Sequence, residues 1–214
     1  MRDITLLIQK VKQKLARTDV EKHEYKVPAL SPTLLKTQSK REIEYLKHIK
    51  KLENILKQDP MTGLYTKQHF DVLEKKKGFY IIIDGDNLKK INDKHGHAAG
   101  HAAIEALSEG IKKVTRAEEF KVSRMGGDEF VVHSKTISIA TALKIAKRIL
   151  ESIHKQKISD FFKGKESVKK ELENVPLQAS IGVGSTEEDA DKALYQAKNK
   201  GRNRVEYLKK EKLH

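Results

Sequence analysis

The residues most suited to chemistry lie at two places. Asp84 directly follows the apolar run Phe79-Tyr80-Ile81-Ile82-Ile83, and Asp128 and Glu129 directly follow Gly126-Gly127. A carboxylate leaving a buried strand is exposed at a sheet edge yet held by a rigid element, which suits metal binding. Paired glycines permit positive φ and let a bulky ligand approach the backbone. If strand and turn are neighbours, Asp84 and Asp128 converge at one end of a sheet. Two carboxylates so placed repel unless a cation bridges them. Mg²⁺ suits such a site, because it takes oxygen ligands from one or two carboxylates and completes its shell with substrate phosphates. Ions held this way polarise a phosphoryl oxygen and activate an attacking hydroxyl. Read structurally, the same residues are a charged hairpin turn.

Cations stand near these carboxylates in the sequence. Lys198 and Arg202 are four apart on the last helix and its cap, a spacing that lets both face one ligand. Lys89 follows the Asp84 loop, and the backbone N–H groups of Asn87 and Leu88 are available to the same phosphate pocket. In so lysine-rich a chain, any single lysine also reads as plain surface charge. His95, His97 and His101 form an H-x-H-x₃-H array that raises zinc as a question. Gly96 and Gly100 explain the same segment equally well as a turn into a helix.

Several elements must position these groups. Phe79 to Ile83 reads as a buried central strand. Phe120 to Ser123 and Glu129 to His133 read as a hairpin closed by the glycines, and Ala179 to Val183 as another strand. Ala98 to Val114, Ile137 to Ile153 and Ala190 to Lys200 have helical character, the last ending before Gly201 at a cap position. The Lys- and Glu-rich stretch from 155 to 173 reads as a solvated insertion. Strands and helices in this order give an α+β fold, with helices packed on a mostly antiparallel sheet.

The segment before residue 59 differs. Ile4, Ile8, Val11 and Leu15 make one helical stripe, and Tyr45, Ile49, Leu52 and Leu56 make a second. Between them, Pro28 and Pro32 mark a linker, and Asp59-Pro60 ends the second stripe. The second stripe has heptad-like spacing, as in a coiled-coil seam or a helix packed on its own domain. The expected division is a helical extension over 1–58 and a compact domain over 59–214.

The chain has 214 residues, of which 35% are charged and 37% hydrophobic, so much of its helical surface is solvated. A formal net charge of +14 attracts polyanions, or simply keeps the chain soluble. Nucleic-acid binding lacks a recognition motif and aromatic platforms. The absence of cysteine excludes disulfides, thiolate nucleophiles and Cys-ligated zinc. No stretch approaches the roughly 20 apolar residues of a membrane span, and no secretory signal is visible. The expected location is the cytoplasm.

The motifs also assemble in the order of a known family. Asp59-Pro60-Met61-Thr62-Gly63-Leu64, then Asp84 through Asp93, then Gly96-His97-Ala98-Ala99-Gly100, then Arg124 through Phe130 with an intact Gly-Gly-Asp-Glu-Phe, resemble the diguanylate cyclase (GGDEF) family. Ser180-Ile181-Gly182-Val183 and Ala190 through Arg204 resemble its closing motifs. The resemblance implies a palm-like fold around a five-stranded sheet. It implies two Mg²⁺ (or Mn²⁺) per active site, held by Asp84, the Gly85 carbonyl and Asp128, with Glu129 approaching the ions and positioning or deprotonating a 3′-hydroxyl. Lys89, Lys198 and Arg202 would hold a triphosphate, and Asn92 a base. Each subunit would bind one GTP, so a homodimer would join two of them into cyclic di-GMP, read by downstream effectors. The N-terminal heptads would then control how two domains meet.

Two departures matter. Where the family usually has aspartate after Gly100, this chain has His101. Aspartate only accepts, whereas neutral histidine offers one donor and one acceptor, a better match to adenine than to the adjacent donors of guanine. Use of ATP, a mixed guanine–adenine product, or a degenerate nucleotide-sensing scaffold therefore stand beside the GTP reading. The family's R-x-x-D product site, five residues before the signature, reads Ala117-Glu118-Glu119-Phe120 here, with Arg116 to Glu119 displaced by one, so weak or absent product inhibition is expected.

Overall fold

A computed structural model describes residues 47–50, 57–72, 78–115 and 119–208. Residues 47–50 are helical and belong to one compact unit, Met1–Ile55; everything below concerns the other, Leu56–His214. The two N-terminal stripes, but for residues 47–50, and residues 116–118 of the displaced Arg116 frame lie outside the described residues.

The elements run β1 (Tyr65–Thr66), α1 (Lys67–Val72), β2 (Phe79–Gly85), α2 (Leu88–His95), α3 (His97–Lys112), β3 (Lys121–Gly126), β4 (Glu129–Ser134), α4 (Ile139–His154), α5 (Glu166–Leu172), β5 (Ala179–Gly184), α6 (Glu187–Asn199) and β6 (Val205–Tyr207). The fold is α+β, one sheet of six strands in the order β1-β3-β4-β2-β5-β6. Its centre is antiparallel, and the two short edge strands pair in parallel with β3 and β5. The sheet has six strands where the resemblance implies five; the patterns show only the central four, because edge strands of two and three residues are too short to show a period of two.

The unbroken apolar run of β2 has a simple cause: both of its faces are covered. Ile81 and Ile83 join Phe130 and Val132 in the main core, beneath the apolar stripes of α3 and α4. Tyr80 and Ile82 join Val131, Phe70, Ala190 and Leu194 in a smaller core on the opposite face. On that face α6 lies directly on β5. A β-carbon at Gly182 would collide with the Ala190 carbonyl oxygen and the Leu194 amide nitrogen, so glycine there sets the depth at which the helix sits.

Residues 155–173 are not a solvated insertion. Ile158, Ser159, Phe162 and Leu172 are buried, around a short 3₁₀ turn at Ile158–Asp160 and helix α5. Their apolar anchors stand singly among charged residues, without the periodicity of a longer helix.

Candidate functional site

Asp84 is the sixth residue of β2, not a group at the sheet's edge. It pairs in register with Glu129 on β4 and Ser180 on β5, at one end of the two central ladders. The β3–β4 hairpin turns through Gly127 and Asp128, with Gly126 at φ 156° and Gly127 at φ 52°. Its tip folds onto β2: the Gly85 N–H donates to the Asp128 carbonyl at 3.1 Å. A β-carbon on Gly85 would stand 2.6 Å from Leu107 Cδ1 and 3.2 Å from Asp128 Cβ. Glycine there avoids both contacts and lets Asp128 lie close against β2.

Three carboxylates thus gather around the β2–β4 end, and their electrostatics show it. Burial, then the charge of Asp84, push the Asp128 carboxyl above its ordinary value. Burial, Asp84 and Asp191 do the same to Glu129, while Lys198 and Lys67 pull it back. The sequence reading had not joined Asp191 or Lys67 to this group. Lys198, near the end of α6, forms an ion pair with Asp84, its Nζ 2.9 Å from Oδ2. It can do so because the glycines of β5 let α6 lie close to the sheet.

The hairpin is braced from behind. Arg124 donates from Nε to the Gly127 carbonyl at 2.9 Å and from Nη1 to both Asp59 oxygens at 3.1 Å. Burial opposes the Asp59 charge, but Thr62, through its hydroxyl and amide, and Arg124 outweigh it and hold that carboxyl below its ordinary value. This brace was missed from the sequence, where Arg124 reads only as part of a motif.

The remaining candidates fall into two groups. Asn87, at φ 62°, caps α2, and Leu88 and Lys89 open it, so the first-turn amides have no carbonyl partners within the helix. Lys89 is exposed. Asn92 is half-buried, with its side-chain amide lying against the α-carbon of Gly100, where a β-carbon would collide with it. His101 follows Gly100, exposed on the first turns of α3. Arg202 is not on the helix with Lys198; it lies beyond the helix end in a left-handed turn, at φ 61°. The four-residue spacing therefore does not stack the two cations on one helical face.

The histidines do not converge. His95 Nδ1 lies 3.2 Å from Glu171 Oε2 without the alignment of a hydrogen bond, and His101 is exposed. Among the described residues no three His, Asp or Glu side chains are grouped to hold a metal ion by themselves. The chemistry of the donor set does fit a hard divalent cation: two crowded carboxylates, a third in register beside them, and the backbone oxygen of Gly85, the kind of partial shell that substrate phosphates complete.

The profile of the family described as "Diguanylate cyclase, GGDEF domain" matches residues 56–204. The chain belongs to this GGDEF family. Diguanylate cyclase A of Treponema denticola is 36% identical over 170 residues, which cover 69% of this chain and 43% of that protein. Probable diguanylate cyclase DgcC of Escherichia coli is 28% identical over 179 residues, covering 74% of this chain and 45% of that protein. The chain thus spans under half the length of these curated relatives. Its fold matches the crystal structure of the coiled coil and GGDEF domain of DgcB from Caulobacter crescentus in complex with c-di-GMP, with a TM-score of 0.64 at 22% identity, covering 78% of this chain and 94% of that one. The GGDEF signature of this chain is the Gly126–Phe130 turn described above. No described helix is long and apolar enough to cross a membrane.

Proposed function

We propose that this chain is a diguanylate cyclase that condenses two GTP into cyclic di-GMP, releasing two pyrophosphates across a homodimer. The observation that carries the reading is the meeting of Asp84, Asp128 and Glu129 at one end of the central strands, with Lys198 on Asp84. Asp84, the Gly85 carbonyl and Asp128 would hold two Mg²⁺ or Mn²⁺, with Glu129 close by. When bound, such ions neutralise phosphate charge and acidify the attacking hydroxyl.

The chain's own groups do the rest. Lys89, Lys198 and Arg202, with the amides of Asn87 and Leu88, bind and orient the triphosphate. Glu129 positions the 3′-hydroxyl of the nucleotide it faces and accepts its proton. The freed 3′-oxygen forms a bond to the α-phosphorus of the partner subunit's nucleotide. The bond from that phosphorus to the bridging oxygen breaks, and pyrophosphate leaves with the electron pair. A second, symmetric transfer closes the ring. Positioning and charge neutralisation supply most of the rate. Residues 1–58 act as a helical extension governing how two domains meet, in the cytoplasm, and cyclic dinucleotide effectors receive the product.

One observation favours a second reading of base choice. His101, beside the Asn92–Gly100 contact, carries a donor and an acceptor where a guanine reader needs acceptors. Purified protein incubated with Mg²⁺ and GTP, ATP or both, with products identified by mass spectrometry, separates the readings. Cyclic di-GMP from GTP alone supports the first. A product containing adenine, with His101→Asp shifting it towards guanine, supports the second. Nucleotide binding without product under any condition overturns both and leaves a sensing scaffold.

A further inference from the structure

Asp86, two residues beyond Asp84, is a buried acid that the proposed chemistry does not use. Its residue is 7% exposed. Among the described residues it has no cationic partner; instead both oxygens are engaged by neutral donors from distant parts of the chain. Ser180 Oγ of β5 donates to Oδ1 at 2.8 Å, and the backbone N–H of Asn203 donates to Oδ2 at 2.9 Å. Its own N–H donates to the Gln178 carbonyl at 2.9 Å. Burying a carboxylate is costly unless such donors meet it, so these contacts are mutually required.

What Asp86 holds is unusual backbone. Helix α6 ends in a Schellman arrangement: Gly201 at φ 104° donates to the Lys198 carbonyl, and Arg202 donates to the Ala197 carbonyl. The chain then continues through Arg202 at φ 61° and Asn203 at φ 48°, two successive left-handed residues that are not glycine. Left-handed geometry is costly for an arginine, less so for an asparagine, and persists where surrounding structure fixes it. Here three contacts fix it. Asp86 takes the Asn203 amide, His154 Nε2 meets Asn203 Oδ1 at 2.6 Å, and the Arg204 carbonyl accepts from Ile181 at 2.8 Å as β6 begins.

We propose that Asp86 is a positioning residue for the triphosphate: it locks the Arg202–Asn203 turn so that the Arg202 guanidinium is presented at the phosphate end of the site. The inference rests on the assignment of Arg202 to the triphosphate made above. It adds that the residue just beyond the strand bearing Asp84 sets where that arginine stands.

The test measures binding of the α,β-methylene analogue of GTP, with GMP as a ligand lacking the outer phosphates. Asp86→Ala should weaken the analogue by about tenfold, the worth of a charged hydrogen bond network's anchor, and leave GMP unchanged. Arg202→Ala should lose a similar factor, and Asp86→Ala combined with Arg202→Ala should bind no worse than Arg202→Ala alone. Asp86→Asn should recover most of the affinity, because its amide oxygen still accepts from Asn203 while its NH₂ group faces the Ser180 oxygen. If Asp86→Ala does not fold, Asp86→Ala with Ser180→Ala removes the stranded hydroxyl and carries the same comparison. Additive losses in the double variant, or equal loss of GMP and analogue, overturn the proposal. A native chain that binds GMP and the analogue alike, with Arg202→Ala unchanged, instead overturns the assignment of Arg202 and this inference with it.

Discussion

Asp128 and Glu129 are kept where their negative charge is unwelcome: half-buried and beside Asp84, with Lys198 offsetting the repulsion only in part. A raised carboxyl pKa in the folded state means that the fold holds the proton more tightly than the open chain does. In cation-free protein the penalty is complete above the raised values, and stability recovers as pH falls through them towards the ordinary values. Asp59 works in the opposite sense, adding stability above its ordinary 3.8 that is lost as pH drops through its lowered value. Two outcomes follow for Asp128→Asn. Product formation should fall roughly a hundredfold or more. The Tm without divalent cations should rise, by about 2–4 °C for each kcal/mol of relieved repulsion. Mg²⁺ with nucleotide should raise the Tm of the native chain more than that of the variant. A calorimetric melt in which Asp128→Asn is less stable than the native chain would show that Asp128 matters to the fold and is not a stored repulsion.

At the scale of elements, the site depends on how deeply α6 sits. Lys198 reaches Asp84 because Gly182 and Gly184 of β5 offer no β-carbons to the helix backbone. Gly182→Ala forces those surfaces apart and should cost about 1–3 kcal/mol. Because the helix carries Lys198, affinity for GTP should fall as well, even in the fraction that remains folded. Denaturant titration beside nucleotide titration checks both, and a variant that loses stability yet binds GTP normally refutes the link. This dependence was illegible in the sequence. The strand Ala179 to Val183 and the helix beyond it can be read from their patterns, but the contact between them rests on what a glycine lacks. Asp84 itself was legible, because an apolar run ending in acid is visible as written. Arg202 was misread, since a spacing of four means a shared face only while the helix continues, and it stops at Asn199. The residues from 155 to 173 were misread because their buried anchors, Ile158, Phe162 and Leu172, are scattered through lysines.

For the whole molecule, the central strands and their helices were readable as an α+β fold, while β1 and β6 were not, being too short to carry a pattern. The small core shared by Phe70, Tyr80, Val131 and Leu194 was hidden likewise, since its members come from four separate elements. If the reaction joins two nucleotides held by two chains, rate per chain must grow with protein concentration until the dimer saturates. Initial rates measured over a hundredfold dilution series should therefore rise more steeply than first order at the low end. Strict proportionality from the lowest concentration, in protein shown to be monomeric by sedimentation, would exclude a reaction between subunits.

The ion pair between Lys198 and Asp84 puts a placeholder at the proposed ion site. An incoming bare ion finds that oxygen spoken for and must part an ammonium group from the carboxylate it neutralises. An ion arriving on a phosphate chain brings the displaced lysine a new anion at the same moment, so the exchange costs little. The pocket should accordingly ignore free magnesium at levels where it readily takes the magnesium–nucleotide complex, admitting its two guests together or scarcely at all.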